Sequence, residues 1–133
     1  MSTDITAARI ADFLGQGLLD VLADLFRAEP GNYALLGELL ASPEIGVRIG
    51  ASALIEELAA SDPAHRPLAA AALAPLLRDA DPVRRGDAAY LLGFAGGASE
   101  LPALDELAAG DANADVREAA AEAAAKIRAR EGR

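Results

Sequence analysis

The chain has 133 residues, a formal charge of −9, 53% hydrophobic residues, 4% aromatic residues and no cysteine. That is enough chain for one buried core, and the missing thiols exclude disulfides, thiol catalysis, thiolate metal sites and thioether-linked cofactors. The acidity argues against general binding to phosphate backbones. Much of the hydrophobic fraction is alanine, the best helix former, while β-branched runs and apolar–polar alternation are scarce, so an all-α fold is expected.

In chain order, eight helices are expected. Ser2 or Thr3 caps the first, which runs to about residue 14 with Ile5, Ile10, Phe13 and Leu14 as its apolar set. Gly15 and Gly17 flank a break, and a second helix over 18–28 carries Leu18, Leu22, Leu25 and Phe26. After the turn Pro30-Gly31-Asn32, a third covers 33–41 with the stripe Leu36, Leu39, Leu40. Ser42-Pro43 reads as a cap and first helical residue for the fourth, which reaches about residue 60 through Val47, Ala51, Leu54, Ile55 and Leu58. The fifth spans 65–79, with a kink expected where Pro75 cannot donate to the carbonyl of Ala71.

The stretch 81–110 is the clearest unit. Asp81-Pro82 starts the sixth helix, with Val83, Asp87, Tyr90, Leu91 and Phe94 on one face, and Gly96-Gly97 ends it in a left-handed cap. Ser99 caps the seventh, whose stripe is Leu101, Leu104, Leu107 and Ala108. The eighth runs over 115–130 and ends in Lys126, Arg128 and Arg130, which suit a helix C-terminus.

Two patterns recur along the chain. Val-Arg opens three helices, at Val47-Arg48, Val83-Arg84 and Val116-Arg117, 36 and 33 residues apart. The alternate helices carry leucines at Leu36, Leu73 and Leu104 with further apolar residues three and four later. A hairpin of two such helices has open sides that stacked neighbours close. One domain over 1–133 is expected, with approximate units 1–16, 17–41, 42–80, 81–110 and 111–133.

With Val-Arg at the helix start, small residues behind it, then Leu92-Gly93 and Leu101-Pro102-Ala103-Leu104, the chain resembles HEAT-repeat proteins, and more narrowly the bacterial HEAT-like repeats named after phycobilisome lyase subunits. The match is good over 81–110, fair over 42–79, partial over 115–130 and weak before 41. The resemblance implies a right-handed α-solenoid of roughly three antiparallel helix pairs with terminal capping helices. It also implies that the third, fifth and seventh helices line a concave, protein-binding side. Some relatives of this kind serve as chromophore lyase components and some as DNA glycosylases. No lyase-specific motif is present, and the basic groove of the glycosylases is missing; function has to be argued from a site.

Candidate residues follow. Asp87 falls where the other copies have Ala51 and Ala120, and a buried carboxylate needs donors. Arg48, Arg84 and Arg117 recur at one position, so a structural Asp87–arginine bridge between repeats is expected. On the concave side Tyr33, Glu38, His65, Arg66, Glu100 and Asp105 are the expected protein-binding residues, with Tyr33 as anchor. The lone His65 seeds no zinc site, Asp20 and Asp24 lack a calcium loop, and no nucleophile–base pair is legible. No catalytic, cofactor or metal residues are therefore assigned. Arg66, Arg78, Arg84 and Arg85 make the middle of the chain locally basic, but most of the negative charge lies in residues 1–62. A non-enzymatic scaffold for a partner of basic character is the expected function, the alternatives being an accessory enzyme subunit such as a chromophore lyase-like component and, behind that, a nucleic-acid binder. The start MSTDITAARI has no signal-like apolar core and no run approaches a membrane span, so a cytoplasmic protein is expected, as a monomer or weak homodimer.

Overall fold

The computed structural model describes residues 6–132, and all regular structure among them is helical. There are eight α-helices: α1 (Ala7–Gly15), α2 (Leu19–Ala28), α3 (Leu36–Leu40), α4 (Ile45–Ser61), α5 (Arg66–Leu73), α6 (Pro82–Ala95), α7 (Leu101–Gly110) and α8 (Ala114–Arg130). Short 3-10 turns at Pro30–Leu35, Pro63–His65 and Ala98–Glu100 lead into α3, α5 and α7.

Capping decides where the helices begin. The expected caps Ser2 and Thr3, with Ile5, lie outside the described residues; the hydroxyl of Thr6 caps α1 by accepting from the Arg9 N–H at 3.2 Å. The Asp81 carboxylate accepts from the Val83 N–H at 2.9 Å, as expected, and Asn113 does the same for Asp115 and Val116. Ser42 falls short of α4: its hydroxyl accepts from the Glu44 N–H, and the helix begins at Ile45. Nor does Ser99 cap α7, which has no side-chain cap; the Glu100 carboxylate instead accepts from the Gly97 N–H at 2.7 Å, at the start of the 3-10 turn before α7. Gly96 ends α6 in an extended rather than left-handed conformation; the left-handed glycines among the described residues are Gly17, in the break between α1 and α2, and Gly132, after α8. Pro75 does more than kink its helix. With no N–H to offer, it ends α5 at Leu73, and the chain continues as a 3-10 turn over Ala74–Arg78.

Helices α4, α6 and α8 lie side by side, α4 against α6 and α6 against α8, with α1 and α2 on the other flank of α4. Packed on this row are α3 against α4, α5 against α4 and α6, and α7 against α8. The core runs through the row as Ala51, Leu54, Ile55, Leu58 in α4, then Ala88, Leu91, Leu92, Ala95 in α6, then Ala120, Ala123, Ala124, Ile127 in α8, all buried. Alanine and glycine let the axes approach closely. A Cβ on Gly93 would stand 3.2 Å from the Ala123 Cα.

This pattern corrects the expected register. Val47 and Val116 are 9% and 1% exposed, but Val83 is 55% exposed. Its neighbour Arg84 holds the equivalent place, so the buried stripe of α6 lies one residue later than the Val-Arg match suggests. The helix-capping positions Glu44, Asp81 and Asn113 show the same spacing. So do three guanidinium bonds back to the preceding loop: Arg48 to the Ser42 carbonyl, Arg85 to Asp79 and Arg117 to Asp111. One residue turns a helix face by about 100°, which carries Val83, Asp87 and Tyr90 out of the core.

Candidate functional site

Pro75 ends α5, and a cleft of about 500 Å³ lies between α5 with the 3-10 turn that follows it and α7 with the turn that leads into it. One wall is Ala71, Ala74, Pro75, Leu77 and Arg78; the other is Ser99, Glu100, Ala103, Glu106 and Leu107. At Ala71, Ser99 and Glu100 it joins a second cleft of about 610 Å³, which runs past Pro63, Arg66 and Pro67 to Gly96, Gly97, Arg130 and Glu131. Together they form one groove along the α5–α7 side.

Its walls are alanine, proline and leucine, with charge at the rim. Arg66, Arg78 and Arg130 face Glu100, Glu106 and Glu131, so the lining is balanced and selects no basic partner by itself. Two of the arginines also hold the scaffold. Arg66 donates to the Ala59 carbonyl at 2.7 Å, and Arg130 to the carbonyls of Gly93 and Gly96 at 2.9 and 2.6 Å, closing the ends of α4 and α6. Burial, and then the nearby charge of Arg66, lowers the Arg130 pKa from its ordinary value.

Of the expected protein-binding residues, the groove brings together Arg66 and Glu100. The other four lie elsewhere. Tyr33 is 2% exposed and cannot anchor a partner. It packs edge-on against Phe26, and its hydroxyl donates to Asp62 at 2.6 Å. His65 also meets Asp62, at 2.9 Å through Nδ1. This cluster ties the turn before α3 to the turn before α5. Burial, then the bond to Asp62, pushes the Tyr33 hydroxyl pKa upward. Burial would raise the Asp62 carboxyl, but the bonds from Tyr33 and His65 outweigh it and hold the pKa below the usual range. Glu38 is exposed on α3. Asp105 accepts from both ends of the Arg128 guanidinium, joining α7 to α8.

The expected bridge at Asp87 does not form. Arg48 and Arg117 donate to loop carbonyls, and Arg84 lies 3.7 Å from Asp79. Asp87 has no ion pair or hydrogen bond among the described residues. Burial raises its carboxyl pKa, partly offset by the charge of Arg48. The bridge that does link α6 to the α8 loop is one the sequence reading missed: Arg85 clasps Asp111 with bonds of 2.9 and 3.1 Å, and the Asp111 side chain is only 5% exposed. The spacing of the caps Asp81 and Asn113 was the signal that could have picked out Arg85 over Arg84.

Among the described residues no cluster of three His, Cys, Asp or Glu side chains is placed to hold a metal ion, and no helix is long and apolar enough to cross a membrane. No family model, curated protein or solved structure matches the chain.

Proposed function

We propose that the chain is a short HEAT-like solenoid, a single domain, that holds an extended segment of a partner protein in the α5–α7 groove and performs no chemistry of its own. The observation that carries this reading is the groove itself: two joined clefts with apolar walls and charged rims. Such a surface offers a peptide side-chain pockets without having to order itself first. The recurrence of one buried pattern, one cap position and one arginine bond in α4, α6 and α8 supports the solenoid reading. The lack of cysteine supports a cytoplasmic location.

A photo-cross-linking residue at Ala103, in the groove wall, tests the reading against the same residue at Glu118, exposed on α8. In host cells Ala103 is expected to capture one discrete protein that Glu118 does not. Ala103→Arg should weaken that association by about tenfold or more, the effect of losing roughly 1.4 kcal/mol, with an unchanged helical circular dichroism spectrum. Equal capture at both positions, or full association in Ala103→Arg, would overturn it.

A further inference from the structure

A second surface shares no lining residue with the α5–α7 groove. Six large hydrophobic side chains stand exposed among the described residues, and four of them, Ile45, Ile49, Val83 and Tyr90, cluster on α4 and α6. Scattered singly they would need no explanation, but gathered on two adjacent helices they form a patch. Val83 and Asp87 line two shallow grooves at once. One, of about 260 Å³, lies between α4 and α6 with Ile45, Arg48 and Ile49; the other, of about 280 Å³, lies between α6 and α8 with Gly86 and Val116.

The carboxylate of Asp87 is the odd group on this face. It is half-buried and takes no ion pair or hydrogen bond among the described residues. Arg48, the cation that shares its α4–α6 groove, donates to the Ser42 carbonyl at 2.8 Å and forms no ion pair with it. Of the other polar groups on the face, Ser52 and Asn113 are neutral, and the charged ones are acidic: Asp115 in the α6–α8 groove and Glu56, which accepts from the Tyr90 hydroxyl at 3.3 Å. Any occupant covering Ile49 and Val83 with apolar side chains also desolvates Asp87 further, and one that brings a cation offsets that cost where a purely apolar one does not. A second copy would place another unpaired carboxylate at the same interface, and two chains of charge −9 repel. An anionic membrane surface is repelled for the same reason.

We infer that the α4–α6 face docks a basic amphipathic helix of another protein, with an arginine or lysine set on Asp87 and apolar residues over Ile45, Ile49 and Val83. This surface is separate from the α5–α7 groove and does not depend on it.

The probe is a fluorescent amphipathic peptide of about four helical turns, leucine-striped, with arginine, glutamine or glutamate at the centre of the stripe. Binding to the full isotope-labelled chain is followed by anisotropy and by amide shifts. The arginine peptide should bind about tenfold more tightly than the glutamine peptide, as one charge-assisted contact allows, and the glutamate peptide more weakly still. Shifts should gather at Ile49, Val83 and Asp87. Asp87→Asn should bring the arginine and glutamine peptides within about twofold of each other without lowering the melting temperature, and Ile49→Asp should weaken all three. Equal affinity for arginine and glutamine, no binding at millimolar peptide, or shifts confined to the α5–α7 groove would each overturn the inference. So would a concentration-dependent dimer abolished by Ile49→Asp, which would name a second copy as the occupant.

Discussion

Asp87 and Asp111 are both carboxylates beside α6, and their surroundings push them in opposite directions. The bonds from Arg85, and then the Asn113 N–H, hold the Asp111 pKa below the usual range. Its contribution to stability is therefore complete above the ordinary carboxylate pKa and is lost as pH falls through the lower folded value. Burial raises the Asp87 pKa instead. The folded state then holds its proton longer than the unfolded chain, so stability falls as pH rises through that window. In thermal melts across pH, Asp87→Asn should raise the melting temperature at neutral pH and change nothing once both states are protonated. Asp111→Asn should lower it at neutral pH, with the deficit shrinking in acid. The reverse order would mean that Asp87 finds a partner in solution. Tyr33 offers a third case: Tyr33→Phe deprives Asp62 of its hydroxyl donor and should cost about 1–2 kcal/mol in urea unfolding. An interface residue would show no such loss.

At the scale of elements, most helices were legible because their apolar spacing and turn residues are local facts. Asp81-Pro82 starts α6 where the cap rule puts it, and the leucines at 36, 73 and 104 mark α3, α5 and α7 correctly. The register of α6 was not legible from Val83-Arg84. Its true buried stripe contains Ala88 and Ala95, which offer little hydrophobic contrast, while Val83 and Tyr90 draw the eye to the wrong face. The leucine stripe, spaced 37 and 31 residues, already disagreed with the Val-Arg spacing and agreed better with the caps. The groove was hidden for another reason. It is a gap between α5 and α7, a relation across the chain, and only Pro75 announced one wall of it. Close approach was hidden too. A Cβ on Gly37 of α3 would lie 2.6 Å from the backbone oxygen of Ala72 in α5, which cannot swing aside as a side chain would. Gly37→Ala is expected to cost about 1–3 kcal/mol by overpacking, seen as a lower denaturation midpoint at unchanged slope. A neutral result would mean that α3 and α5 stand further apart.

Across the whole molecule, contacts run between neighbours. Helix α6 is held by α4, α5 and α8, whereas α1 rests on α2, α3 and α4 and has Ile10 as its fully buried residue. The proposed solenoid predicts that the chain opens from its ends, because losing a terminal repeat leaves the remaining interfaces intact. Ile10→Ala and Leu92→Ala remove similar side chains, each from a fully buried site, and each should cost about 2–5 kcal/mol where it acts. Amide hydrogen exchange separates where those costs fall. Ile10→Ala should speed exchange in α1 and α2 while α6 and α8 keep their protection, since Ile10's helix packs mainly on α2, α3 and α4. Leu92→Ala, in the helix that joins both halves of the row, should speed exchange everywhere that α6 supports, from α4 to α8. Uniform acceleration by Ile10→Ala would show that the chain unfolds as one cooperative block, and neighbour-to-neighbour packing would then not set its stability.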